Sequence, residues 1–189
     1  MNSEHNDDFN YPDGTHVYPL STALKTRKTV KNKIITVDQL IKVLLCLSDT
    51  PIYGRIMLFK EIFLIYQKLK EKGIAVHDPR FVPYRYGPYS FFVAETLDLM
   101  ETTGAIIHEG KKNTQMETFK INGKNVKSDE ILTIIDPAIL EELKKYRKGL
   151  DQLGTDGILR KVYQDYPEYK LKSEIKERYK TITWGRGRG

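Results

Sequence analysis

The stretch from Arg55 to Gly73, RIMLFKEIFLIYQKLKEKG, constrains the architecture more than any other part of the chain. Leu58, Ile62, Ile65 and Leu69 recur at helical spacing, and Phe59, Phe63 and Tyr66 lie alongside them. One neighbour cannot cover so wide an apolar arc, so the stretch predicts a central helix with the other elements packed around it. Gly73 supplies the stop. Lys60 and Glu61 interrupt the run, and no other apolar stretch is long enough to cross a bilayer.

The flanking segments supply partners for that helix. In ITVDQL, Thr36 is placed as N-cap, Gln39 closes a capping box, and Ile35 with Leu40 forms a hydrophobic staple. Val37, Leu40, Ile41, Leu44 and Leu45 then make one stripe of a first helix, which ends near SDTPIYG. Downstream, Pro88 is expected in the first turn of a third helix, PYSFFVAETLDLMETTG, with Val93, Leu97 and Met100 turned inward and Gly104 closing it. The period changes in AIIHEGKKNTQMETFKINGKN, where alternation on both sides of GKKNTQ reads as a strand, a lysine-rich turn and a returning strand. Helix, helix, helix, hairpin is the order of a winged helix.

Helical signals resume in SDEILTII and in DPAILEELKKYRKGLDQLG, where Asp136 caps, Pro137 starts, and Ile139, Leu140, Leu143, Tyr146 and Leu150 line one face. A last helical stretch, TDGILRKVYQDYPEYKLKSEIKERYK, is broken at Pro167. The fold expected is mainly α with a small β-hairpin, a winged-helix-like helical core with additional C-terminal helices. Residues 1–33 read as a flexible arm, acidic through Glu4, Asp7, Asp8 and Asp13 and then basic in KTRKTVKNK. Residues 34–180 form the single domain, and 181–189 a disordered Arg-Gly tail.

At 189 residues, 40% apolar and 30% charged, the chain can bury one well-formed core. Its single cysteine, Cys46, lies in the apolar run LIKVLLCLSD, reads as a small buried hydrophobe, and leaves no internal disulfide. A polar, acidic N-terminus unlike a signal peptide completes the expectation of a cytoplasmic protein that is neither exported nor membrane-spanning. His5, His16, His77 and His108 are scattered, with none paired at metal-ligand spacing on one helix. There is no nucleophile elbow and no phosphate-cradling glycine loop, and GRGRG lacks the strand–loop–helix setting of a nucleotide fingerprint. The expectation is a protein without catalytic residues, cofactor or metal.

What stands out instead is PRFVPYRYGPYS, residues 79–90. Pro79, Pro83 and Pro88 stiffen it; Phe81, Tyr84, Tyr86 and Tyr89 offer large contact area; Arg80 and Arg85 can clamp carboxylates or stack on rings. Some of these rings are expected to anchor the loop to the core and the rest to face outward. Lys60 is read as snorkelling to solvent, the commoner fate of a helix lysine, with a buried position facing this loop as the alternative.

GRIMLFKEIFLIYQ followed by RFVPYRYGPYSFFVAETLDLMETTGAI resembles the Panacea domain of prokaryotic toxin–antitoxin systems, the SocA- and GepA-like antitoxins and their YwgA-like relatives. The shared pattern is an apolar helix bearing a lysine, then an aromatic segment with Tyr86-Gly87-Pro88 opening the next helix. VYQDYPEYKLKS is similar to the C-terminal portion of the YwgA-like members. Common antitoxin members follow Gly-Pro with a small aliphatic residue where this chain has Tyr89-Ser90. The resemblance implies a helical module that binds and neutralises a protein partner, such as a toxin. The surface expected for that task comprises Lys60, Arg80, Phe81, Tyr84, Arg85, Tyr86, Gly87, Pro88, Tyr89 and Ser90.

The alternative is a winged-helix DNA-binding regulator or a sequence-independent nucleic-acid binder. The expected outer face of the third helix carries Glu95, Asp98 and Thr102, with Glu101 on its flank, and no Lys or Arg occurs between Pro88 and Gly110. Such a helix is repelled by phosphates, which disfavours the usual major-groove docking. Backbone contact is left to Lys25, Arg27, Lys28, Lys111, Lys112, Lys120, Lys124, Arg186 and Arg188, although scattered lysines are more often solvated charge.

Overall fold

Helix α1 (Val37–Cys46) starts where its sequence says it should, with the expected Thr36–Gln39 capping box, in which the Thr36 N–H donates to Gln39 Oε1 at 3.0 Å. Val37, Leu40, Ile41, Leu44 and Leu45 are all buried. The computed structural model describes Phe9–Asn10, His16–Val17, residues 34–112, residue 114 and residues 116–179. The chain divides into two units, Met1–Lys33 and Ile34–Gly189. In the first, β1 (Phe9–Asn10) pairs antiparallel with β2 (His16–Val17). Lys25, Arg27, Lys28, Arg186, Arg188 and the tail 181–189 lie outside the described residues.

The second unit is mainly helical with a small antiparallel sheet. β3 (Ile52–Tyr53) follows α1, then α2 (Arg55–Glu71), the hairpin β4 (Val82–Tyr84) and β5 (Gly87–Tyr89), and α3 (Phe91–Thr102). β6 (Ile106–Glu109) and β7 (Thr118–Ile121) form a second hairpin, followed by α4 (Ser128–Leu132) and α5 (Pro137–Asp165). The three-stranded sheet has the order β3-β7-β6, with Ile52 opposite Phe119 and His108 opposite Phe119 from the other side. β3 was not expected, because Ile52–Tyr53 lies in a segment whose proline and glycine read only as a helix end; two residues are too few to show alternation.

Two further expectations are corrected. Pro88 is not in the first turn of α3 but in β5, and the helix begins at Phe91 behind Ser90, whose Oγ accepts from the Val93 N–H at 2.9 Å. A serine cap stabilises a helix start more directly than a nearby proline does. The last helical stretch ends at Asp165; from Pro167 on, the described residues make two 3₁₀ turns, Pro167–Lys170 and Lys176–Tyr179, in place of a helix. Within α5 the backbone breaks at Gly154, whose φ of 62° and ψ of −179° are open to glycine and strained for other residues. No helix among the described residues is long and apolar enough to cross a membrane.

α2 occupies the centre, as its apolar arc requires. Leu58, Phe59, Ile62, Phe63, Leu64, Ile65 and Leu69 are buried around its circumference, and its most extensive partner is α5. The same burial takes in Glu61, fully inaccessible, with Arg147 of α5 placing Nε 2.8 Å from Glu61 Oε2 and a second nitrogen against Asp151. Desolvation pushes the Glu61 carboxyl up to about 7 even though the Arg147 guanidinium pulls it down. Removing one partner of such a pair leaves the other charge without compensation. Arg147→Met is therefore expected to cost about 3–5 kcal/mol of unfolding free energy in urea, and Glu61→Leu added to Arg147→Met to recover most of it. A double variant as unstable as the single one contradicts this reading.

Candidate binding site

The site is built on Lys60. Lys60, in the second turn of α2 and flanked by Phe59 and Glu61, lies on the side that the β4–β5 hairpin covers. Lys60 is 2% exposed and Nζ donates to the Pro88 carbonyl at 2.9 Å, so the snorkelling expectation gives way to the buried alternative. Burial alone accounts for the effect on its ammonium, which falls to about 7.

The hairpin geometry explains why that carbonyl is available. Pro83 stands opposite Pro88, and neither has an N–H to donate, so this pair can only be one without cross-strand hydrogen bonds. Its carbonyls turn outward, and Lys60 meets the one on β5. Gly87, at φ 91°, brings the backbone so close that an added Cβ would sit 3.0 Å from the Tyr163 ring and 3.5 Å from Lys60 Cε. Behind the turn, the Arg85 carbonyl accepts from the Glu174 N–H at 2.8 Å and from Ser173 Oγ at 3.3 Å, and Ser173 Oγ is 2.7 Å from the Tyr163 hydroxyl. The Pro79 carbonyl accepts from the Ser90 hydroxyl. The hairpin is thus fixed by α2, by α5 and by the C-terminal turn.

The expected partner-binding residues separate into two groups. Lys60, Gly87, Pro88 and Ser90 are buried, Ser90 completely, and they hold the hairpin rather than present themselves. Phe81 is half-buried, edge-on to Phe63 at 5.1 Å, and Tyr89 is stacked on Phe59 at 4.6 Å and 6°, so both are anchors. Tyr84, Tyr86, Arg80 and Arg85 face outward, with Tyr84 37% and Tyr86 40% exposed. Arg80 sits at a φ of 56° with its guanidinium 5.9 Å from the Phe92 ring, and Arg85 pairs with Glu174 at 3.3 Å.

Phe91 and Phe92 were not singled out in the sequence, yet they are 57% and 41% exposed at the start of α3. Phe91 lies edge-on to Tyr89 at 5.1 Å and to Tyr84 at 5.6 Å, so the aromatic surface continues from the hairpin onto the helix. Their signal was present: with Val93, Leu97 and Met100 inward, a helical wheel turns both rings out.

A pocket of about 560 Å³ opens between α2, the β4–β5 turn and α5, walled by Ile56, Phe59, Tyr84, Tyr86 and Tyr89 and lined by Arg55, Lys60, Arg85, Thr114 and Thr155. Arg55 reaches from it to Glu117, Nε to Oε1 3.3 Å. Glu117 is buried beside His108, whose Nε2 is 2.9 Å from Glu117 Oε1 and whose Nδ1 is 3.1 Å from Glu101 Oε1. His108, scattered in sequence, is therefore closely placed among acids once β6 and β7 pair. Among the described residues, no group of three or more His, Cys, Asp or Glu side chains is arranged to hold a metal ion. Of the lysines suited to phosphate contact, Lys111, Lys112 and Lys124 are exposed, and Lys112 and Lys120 each lie 3.7 Å from a glutamate, Glu101 and Glu109.

Lys60 gives the site a pH signature. Its folded value of about 7 is below the 10.5 of a free lysine, so between these the unfolded chain binds the extra proton and stability rises with pH. Urea unfolding from pH 7 to 9 is expected to show wild-type stability climbing by up to about 1.4 kcal/mol per pH unit relative to Lys60→Met. Parallel curves for the two proteins would remove Lys60 from this account. Gly87→Ala, strained and crowded against Tyr163, is expected to destabilise by about 1–3 kcal/mol in the same assay.

Comparison with protein-family models, with curated proteins and with solved structures finds no match for this chain.

Proposed function

We propose that this chain is a cytoplasmic, non-enzymatic protein-binding module of the Panacea antitoxin type. Its contact surface would be the outer side of the β4–β5 hairpin with the first turn of α3. The observation that carries the reading is the exposed set of rings Tyr84, Tyr86, Phe91 and Phe92, with Tyr84 edge-on to Phe91, beside a hairpin tied down at β5 and at its turn. Rigid aromatic rings lose little entropy on binding, and a surface anchored in this way presents them without a folding cost. Arg80 and Arg85 stand beside the rings as polar contacts.

A winged-helix core is part of the proposal. It is supported by the order α1, β3, α2, α3, β6, β7 and by β7 lying between β3 and β6. The nucleic-acid alternative is weaker on the same structure. The exposed positions of α3 are Phe91, Phe92, Glu95, Asp98, Leu99 and Thr102, which offer phosphates repulsion and apolar surface.

The test is capture from an extract of the source cells, followed by titration of the purified partner. Tyr86→Ala with Phe91→Ala and Phe92→Ala is expected to keep the wild-type circular dichroism and to weaken binding at least about a hundredfold, as loss of several central aromatics does. Lys111→Glu with Lys112→Glu is expected to leave it unchanged. If the folded triple variant binds as well as wild type, the proposed surface is wrong. Any association with duplex DNA should be weak, indifferent to sequence and steeply lost between 50 and 200 mM salt.

A further inference from the structure

The pocket beneath the hairpin has a chemistry of its own. Its walls are flat and apolar: Phe59 and Tyr89 stack at 4.6 Å, and Tyr84 lies 5.2 Å from Tyr89. Among the described residues, the polar side chains that line it are cationic or hydroxylic, and none is an acid. Arg55 comes from α2, Arg85, Tyr84, Tyr86 and Tyr89 from the hairpin, and Thr155 from α5, just past the break at Gly154. Two of its cations are already paired: Arg55 with Glu117, which also meets His108, and Arg85 with Glu174.

Lys60 is the exception. Lys60 is among the residues that line the pocket, is 2% exposed, and its Nζ has the Pro88 carbonyl as its one hydrogen-bond acceptor among the described residues. A lysine nitrogen has further N–H bonds to give, and leaving them unused in a buried position is costly. An incoming carboxylate would accept them and supply the missing countercharge. The volume, about 560 Å³, is that of a small-molecule site.

We propose that this pocket binds a flat organic anion, its ring laid against the aromatic wall and its carboxylate on Lys60 with Arg55 or Arg85 alongside. The inference concerns the pocket interior; Tyr84, Arg85 and Tyr86 belong to both surfaces, whereas Phe91 and Phe92 are not among the lining residues. The depressed value of about 7 adds a consequence: near pH 8 the free amine is mostly neutral, so binding an anion draws a proton from solution.

The experiment is calorimetric titration of the full chain at pH 8 with benzoate, 4-hydroxybenzoate and 1-naphthoate, each beside its uncharged primary amide. At least one carboxylate is expected to bind about tenfold or more tighter than its amide. Repeating the titration in buffers of different ionisation enthalpy is expected to show uptake of close to one proton. Lys60→Met should abolish both the preference and the uptake, while Lys112→Gln preserves them. If Lys60→Met fails to fold, the preference of the wild-type chain for acid over amide decides. Absence of carboxylate binding at millimolar concentration or equal affinity for acid and amide would each overturn the proposal. None of these results touches capture of a protein through Phe91 and Phe92, so the two readings fail separately.

Discussion

The arrangement depends on two adjacent ionisable side chains buried in one helix. Lys60 and Glu61 follow each other in α2, so they leave the helix about a quarter turn apart and must be satisfied by different neighbours. Lys60 takes the Pro88 carbonyl of the hairpin, and Glu61 takes Arg147 of α5. A buried polar group tolerates few positions of its partner, whereas apolar packing tolerates many. The apolar residues of α2 make the core cohere; Lys60 and Glu61 specify where the hairpin and α5 must lie upon it.

From that constraint follows the division of labour in the aromatic hairpin. One side of it faces inward, through Phe81 on Phe63, Tyr89 on Phe59, and the Pro88 carbonyl on Lys60. The other carries Tyr84 and Tyr86 outward and is continued by Phe91 and Phe92. The question of whether these rings anchor the loop or offer a surface has a physical answer: the anchoring set keeps the presenting set rigid. The C-terminal turn contributes through Ser173 and Glu174, which close the back of the Arg85–Tyr86 turn.

Much of the fold was legible because helices announce themselves locally. The Thr36–Gln39 start, the inward Val93, Leu97 and Met100 of α3, and the Asp136-Pro137 start of α5 all rest on residues within a turn or two of each other. The misreadings have a common cause. Pro88 fits either a helix start or a strand opposite another proline, and only the pairing with Pro83 selects the strand. Ile52–Tyr53 becomes a strand only because β7 offers it an edge. Pro167 was expected to interrupt a helix, whereas the chain beyond it gains more by wrapping back onto the hairpin as turns.

The sequence by itself determined the central helix, its capped neighbours, the returning hairpin, and the acidic face of α3, since each depends on spacing along one segment. It also located the loop that matters. Tertiary structure alone decided that Lys60 is interred, that His108 lies among glutamates, and that a pocket lined by Lys60, Arg55 and Arg85 opens beneath the aromatic turn. The reason is range. Helical periodicity reports interactions across three or four residues, whereas the partners of Lys60 and Glu61 are 28 and 86 positions further along the chain, where no local pattern registers them.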